Sequence, residues 1–300
     1  MIHGVVPPVV TPLTAQGALD EASLAGVVDE QVAAGASGVF VAGSTGEVAL
    51  LSDEVRVRAL QVAVSAADGR VPVLAGVVDT GTARVVRQAE RAEEAGADAV
   101  VATPPFYIAP HPAEIARHFR VVAAAVSIPV VAYDIPSATH VPLSASVLRE
   151  LAGDGAIAGF KDSSGDIAGF RRALGALGDV PALTGSELFA DLALELGAAG
   201  IVPGLGNVDP QGYVRLSDAV ARGDLPAARA EQERLIRLFR IVEVADRGRI
   251  GATAAALGSF KAAMWLRGAI DSPRTSEPLG ALLPSEIDAV GAILEAERLL

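Results

Sequence analysis

Only two lysines, Lys161 and Lys261, occur among the 24 basic residues of this 300-residue chain; arginine supplies the rest. An amine differs from a guanidinium in that it can lose its proton near neutral pH and act as a nucleophile. Lys161 ends the apolar run AIAGFK, where desolvation disfavours the ammonium and supplies the neutral amine that attacks a ketone to give an iminium. The alternative is a lysine whose head pairs with Asp162 or Asp166 at the surface. Lys261, in GSFKAAMWLR, reads instead as a surface residue of an amphipathic helix, its stem on apolar neighbours and its head in water.

Three further places carry groups suited to proton transfer or anion binding. Tyr133 closes the run VVAYD and Tyr107 sits in the proline-rich TPPFYIAP; with a serine, two phenols make a proton relay, although aromatics at such positions also serve packing. In AGSTGE, Gly43 and Gly46 free the backbone to turn, and Ser44 and Thr45 offer hydroxyls beside unpaired amides that could cradle a carboxylate. An ordinary Gly/Ser/Thr turn would read the same way. TGSE, with Gly185, Ser186 and Glu187, and IVPGLGN, which contains Val202, are expected to shape a pocket rather than react.

For these residues to meet, the chain must bring several segment ends to one place. Short Val/Ala/Ile-rich runs at 4–10, 37–43, 71–77, 98–103, 129–134, 156–161, 181–184 and 199–203 alternate with amphipathic stretches near 20–34, 52–67, 82–95, 112–125, 144–152, 166–177, 187–197 and 208–222. The runs lack the alternation of a one-sided sheet and read as strands buried on both faces. Glycines in AAGASGV, EAGADAV and ELGAAGI mark helix ends before the next strand. Eight such units predict an α/β fold, a (β/α)8 TIM barrel over residues 1–224, with active-site residues at the C-terminal ends of the strands. The competing doubly wound sheet needs a glycine-rich phosphate loop after its first strand, and VVPPVVTPLT has none. Residues 225–300 predict a C-terminal extension of three helices near 225–246, 251–267 and 284–298, with RGAIDSPRTSEPLGALLP as an exposed connection.

Composition removes several classes of function. There is no cysteine, and the four histidines form no metal-binding spacing, so no metal is expected. A net charge of −12 opposes nucleic acid and anionic membranes as partners. No run approaches the roughly 18 apolar residues of a membrane span. The N-terminus lacks the pattern of an export signal, and the expectation is a cytoplasmic protein.

GSTGE, PPFY, YDIP and FKDSSGD, in this order and at these strand ends, resemble the dihydrodipicolinate synthase and N-acetylneuraminate lyase superfamily of class I pyruvate aldolases, over essentially the whole chain. The resemblance implies that Lys161 forms a Schiff base with pyruvate or a longer 2-keto acid, without metal or organic cofactor. It implies Tyr133 as general acid/base, Ser44 and Tyr107 as the rest of the relay, and Thr45 with the Ser44 amide as holders of the substrate carboxylate. It also implies a homotetramer, a dimer of dimers, with Tyr107 offered across a dimer interface.

The departures concern the second substrate. Ala138 stands where lysine-biosynthetic members carry an arginine for the incoming semialdehyde. Glu187 matches one of two acids that sialic acid lyases use for the polyol tail, and Leu188 replaces the other. Asp134 replaces the usual Asn, and Phe106 a common Tyr. The expectation is therefore an aldolase, or a dehydratase, acting on a 2-keto-3-deoxy sugar acid or a similar 4-hydroxy-2-keto acid. The alternatives are 4-hydroxy-tetrahydrodipicolinate synthase, an N-acetylneuraminate lyase-like activity, or a keto-acid-binding barrel without turnover.

Overall fold

The computed structural model describes residues 2–300. Strands and helices alternate in the expected order: β1 (Gly4–Val5), α1 (Glu21–Ala33), β2 (Val39–Val41), α2 (Asp53–Ala67), β3 (Val73–Gly76), α3 (Thr82–Glu94), β4 (Ala99–Ala102) and α4 (Pro112–Ala125). The second half continues with β5 (Val130–Asp134), α5 (Pro136–Thr139), α6 (Ala145–Gly153), β6 (Gly159–Asp162), α7 (Ile167–Leu177), β7 (Ala182–Thr184), α8 (Ala190–Glu195), β8 (Gly200–Ile201) and α9 (Pro210–Ala221).

All strand pairs are parallel, and the sheet runs β1-β8-β7-β6-β5-β4-β3-β2. It closes through a parallel bridge between Pro8 and Phe40, where the Phe40 amide donates to Pro7 O and the Val9 amide to Phe40 O, both at 2.9 Å. Prolines 7 and 8 have no N–H to give, which cuts the regular ladder of β1 to two residues within the longer apolar run 4–10.

Side chains alternate between two cores. Val6, Phe40, Leu74, Ala99, Val101, Val131, Tyr133, Leu183 and Val202 fill the barrel interior. Their neighbours along the strands, such as Val39, Val41, Val100, Ala132 and Phe160, face the helices and join the larger core. Burial on both faces accounts for the unbroken apolar runs. Gly35, Gly96 and Gly197 all take positive φ (94°, 92° and 101°) just after α1, α3 and α8, as the repeated motif predicts. The short α5, opened by Pro136 at its first turn, is an addition to the sequence expectation.

Beyond the barrel, α10 (Leu225–Phe239), α11 (Ala252–Leu266) and α12 (Pro284–Ala296) form the helical extension, with a 3-10 turn (Arg240–Glu243) after α10. The 267–283 connection is less exposed than its composition suggests. Ile270 and Thr275 are buried, and Arg274 Nη1 donates to Ala15 O at 2.9 Å. Lys261 corrects the sequence reading outright: it is fully buried in α11 and forms an ion pair with Glu47, which is equally shielded. The face of α11 that reads as a water-exposed edge is covered by the connection that follows it.

Candidate active site

The register between β5 and β6 sets Tyr133 beside Lys161 as direct partners. Both lie on the inward parity of their strands, at the C-terminal end of the barrel, so both side chains enter its mouth. Lys161 is 6% exposed and Tyr133 2%. The Lys161 ammonium stands 3.6 Å from the centroid of the Tyr133 ring and donates to Ser163 Oγ at 3.1 Å. Phe40 lies below, its ring centroid 5.8 Å from Nζ and edge-on to Tyr133 at 6.4 Å. Among the described residues no carboxylate forms an ion pair with Lys161, which sets aside pairing with Asp162 or Asp166. An aromatic face and one hydroxyl hold the Lys161 head group at the barrel mouth, and neither is a counter-charge.

Ser44 arrives from the loop after β2, and its Oγ lies 3.3 Å from the Tyr133 hydroxyl. The loop is tightly specified. Ala42 and Glu47 both adopt left-handed φ values, 52° and 62°, uncommon for residues with a Cβ. Gly76 on β3 makes room for it, because a Cβ there would stand 1.9 Å from Ala42 O. The Glu47 and Val48 amides donate back to Ser44 O and Gly43 O. Among the described residues, no intramolecular acceptor meets the Ser44 or Thr45 amides, which leaves two donors beside a hydroxyl.

The opposite wall comes from β7 and β8. The Gly185 amide donates to Asp162 O at 2.6 Å, and a Cβ on Gly185 would lie 2.3 Å from Ser163 Oγ and 3.4 Å from Lys161 Cε. Glycine is therefore required for the serine to reach the lysine. The Ser186 amide donates to Thr184 Oγ1, and Glu187 Oε1 accepts the Gly204 amide at 2.8 Å. Burial raises the Glu187 pKa, while nearby amides and the Lys161 charge oppose the shift. Val202 is buried in the barrel interior with Leu183 and Tyr133.

Two acids on the outward parity support these elements from behind. Asp134 Oδ1 accepts the Leu143 amide at 3.1 Å, fixing the segment that contains α5, and Asp134 O accepts the Ser163 amide at 2.8 Å. Asp162 Oδ1 accepts both the amide and the hydroxyl of Ser164 at 2.8 Å. Burial pushes the Asp134 carboxyl up to about 7, with the Asp162 charge adding to the shift and the Leu143 amide opposing it.

The fold thus brings together Lys161, Tyr133 and Ser44, with Gly43, Thr45, Gly185, Ser186, Glu187 and Val202 on the strand-end segments around them. Ala138 lies on α5 with its side chain exposed. Tyr107 is not brought in: it is 94% exposed, at a left-handed φ of 68°. Ser163, Phe40 and Glu47 are additions to the residues singled out from sequence, and Lys261 enters as the buried partner of Glu47 rather than as a surface residue. Ser163 stands in the FKDSSGD motif and Glu47 in GSTGE, so both lay in segments already marked. No cluster of three or more metal-ligating side chains occurs among the described residues. No helix among them is long and apolar enough to cross a membrane.

Comparison with known proteins identifies the fold and the family. The sequence profile of the Dihydrodipicolinate synthetase family matches residues 1–297. An uncharacterized DapA-like lyase of Halobacterium salinarum is 38% identical over 281 residues, 94% of this chain and 89% of the relative. A 4-hydroxy-tetrahydrodipicolinate synthase of Hyphomonas neptunium is 37% identical over 243 residues, 80% of this chain and 83% of the relative. Among solved structures, a prophage protein of the dihydrodipicolinic acid synthase family from E. coli K12, in complex with pyruvate, superposes with a TM-score of 0.93 at 28% identity, covering all of both chains. Dihydrodipicolinate synthase from Bacteroides thetaiotaomicron gives 0.91 at 29% identity over 98% of each chain. With the profile matched almost end to end and curated relatives covering most of the chain, the chain belongs to the dihydrodipicolinate synthetase family and is an enzyme of the lyase class.

Proposed function

We propose that the protein is a Schiff-base aldolase that cleaves or forms a 4-hydroxy-2-keto acid of the 2-keto-3-deoxy sugar acid type, with Lys161 as nucleophile. The observation that carries this reading is the state of Lys161: buried, paired with no carboxylate among the described residues, and stacked on a phenol that is itself linked to Ser44.

In the reaction, the Lys161 amine adds to the C2 carbonyl, and the carbonyl oxygen takes up a proton to give a carbinolamine. Tyr133 supplies the proton that lets this oxygen leave as water, which forms the iminium. The iminium then draws in the electron pair of the C3–C4 bond as the C4 hydroxyl gives up its proton, so an aldehyde departs and an enamine remains. Protonation at C3 and hydrolysis release pyruvate and restore the amine; the same steps in reverse condense the two. The free amides of Ser44 and Thr45 suit the substrate carboxylate.

Two features of the sequence and the surrounding segments support this choice of second substrate. Segment 135–143 contains no arginine, and Ala138 offers no cation to a second carboxylate. Glu187, with Ser186 beside it, offers acceptors for the hydroxyls of a sugar acid. The exposed Tyr107, flanked by Ile108 at 61% exposure, supports completion of the relay by a second copy in a dimer of dimers.

The test is intact mass after incubation with pyruvate and borohydride, beside Lys161→Ala. A reduced adduct on the unmodified protein and none on the variant is the expected result. No adduct with pyruvate or any longer 2-keto acid would overturn the aldolase reading in favour of a barrel that binds without turnover.

A further inference from the structure

The C-terminal extension buries a charge that packing alone does not require. Lys261 sits in α11 among buried Ala, Leu, Gly, Phe and Met residues. Its partner Glu47 lies at the far end of the loop that carries Ser44, and neither side chain reaches water. Desolvating two ions is costly, and an apolar pair of matching shape is commonly no less stable. Something other than net stability must therefore account for the pair.

Its contacts supply a reason. Lys261 Nζ donates to Arg274 O at 2.9 Å, and Glu47 Oε2 accepts the Ser276 amide at 2.6 Å. Through its own amide Glu47 donates to Ser44 O at 3.1 Å. A continuous polar path thus runs from α11 and the 267–283 connection to the carbonyl of Ser44. On the barrel side, Thr11 Oγ1 donates to Gly46 O at 2.8 Å and Gly76 admits Ala42 O. The two left-handed residues, Ala42 and Glu47, bracket residues 43–46 between these supports. Strained backbone of this kind persists only where its surroundings over-determine it.

We infer that Glu47 and Lys261 are positioning residues whose ion pair holds the 42–47 turn in the form that aims the Ser44 hydroxyl at Tyr133 and the Ser44 and Thr45 amides at the barrel mouth. Binding of the substrate carboxylate then depends on the docked C-terminal extension. The inference rests on the keto-acid reading above for the identity of the ligand, but not for the claim that the pair fixes the turn.

Two variants test it. Glu47→Gln removes one charge, and Glu47→Gln with Lys261→Met replaces the pair by neutral groups of similar shape, so no lone buried ion threatens folding. The readouts are the pyruvate concentration for half-maximal borohydride trapping, the limiting trapping rate, and amide hydrogen exchange of residues 42–50 in protein shown to be folded by its melting curve. In the double variant the half-saturating pyruvate concentration should rise about tenfold, since small misplacements of binding groups are expensive. The limiting rate should fall by less, and exchange should accelerate in 42–50 while α3 and α4 keep their protection. A lower melting temperature with unchanged half-saturation and unchanged exchange would make the pair purely structural and overturn the inference. If the unmodified protein forms no Lys161 adduct, the keto-acid reading fails by itself, and exchange in 42–50 still decides whether the pair fixes the turn.

Discussion

Asp134 should make the stability of this protein fall as the pH rises, and replacing it by Asn should remove that fall. The residue is 5% exposed, and its carboxyl is pushed up to about 7, first by burial and then by the Asp162 charge, against the pull of the Leu143 amide. In the unfolded chain an aspartate titrates near 4. Between these values the native state keeps a proton that the unfolded state has released, so stability declines through the window from about pH 4 to 7 and levels off above it. A shift of about three units at about 1.4 kcal/mol each sets a ceiling near 4 kcal/mol. Local relaxation and water entry reduce this, and about 2 kcal/mol is the expected size. Asp134→Asn keeps an acceptor for the Leu143 amide and has no charge to bury. Its advantage over the unmodified protein should be about 2 kcal/mol at pH 8, roughly 4 °C in melting temperature, and should shrink as the pH falls toward 4. Melts of both proteins at constant ionic strength from pH 4 to 8.5 give the difference directly: uncoupled titrating groups cancel, and what the difference reports is Asp134 together with its coupling to Asp162. A difference constant across that range would refute the claim that Asp134 is held neutral in the fold.

Two further outcomes follow from the site. Tyr133→Phe keeps the ring against Lys161 and Phe40 but removes the hydroxyl, so borohydride trapping of pyruvate should slow by about a hundredfold or more with little change in melting temperature; trapping at the original rate would exclude the phenol as the proton donor. Gly185→Ala sets a methyl group 2.3 Å from Ser163 Oγ and should displace the hydroxyl that holds Lys161, lowering the trapping rate by about tenfold in a protein that still folds; an unaffected rate would show that Ser163 has no part in placing the amine.

What could be read from sequence divides along physical lines. Strand positions were legible because burial on both faces leaves an unbroken apolar run, and helix ends because Gly35, Gly96 and Gly197 take up a conformation costly to other residues. Strand lengths were not, since ladder pairing depends on the neighbour: the run 4–10 keeps only two residues of regular ladder at its own edge. That Lys161, Tyr133 and Ser44 meet at one barrel mouth was legible because each stands at a strand end, where polar residues interrupt apolar runs. Lys261 was misread because helix periodicity reports which positions are polar, not what later chain covers them. Its partner Glu47 lies in the second βα unit and its cover in residues 267–283, and no local pattern joins the three.

The alternation of β5 and β6 explains why chemistry and support sit so close together in the sequence. Tyr133 and Lys161 point inward, while Asp134 and Asp162, one residue further along each strand, point outward and hold Leu143 and Ser164. A strand end is the one rigid place from which both directions can be served by consecutive residues. Its cost is sensitivity to register: a slip of one residue in either strand would carry a carboxylate into the apolar interior beside Phe40 and Leu183 and turn the amine or the phenol out among the helices. The packing that stabilises the barrel therefore also penalises any arrangement in which Lys161 and Tyr133 fail to meet, so correct folding and assembly of the proposed reactive pair are secured by the same interactions.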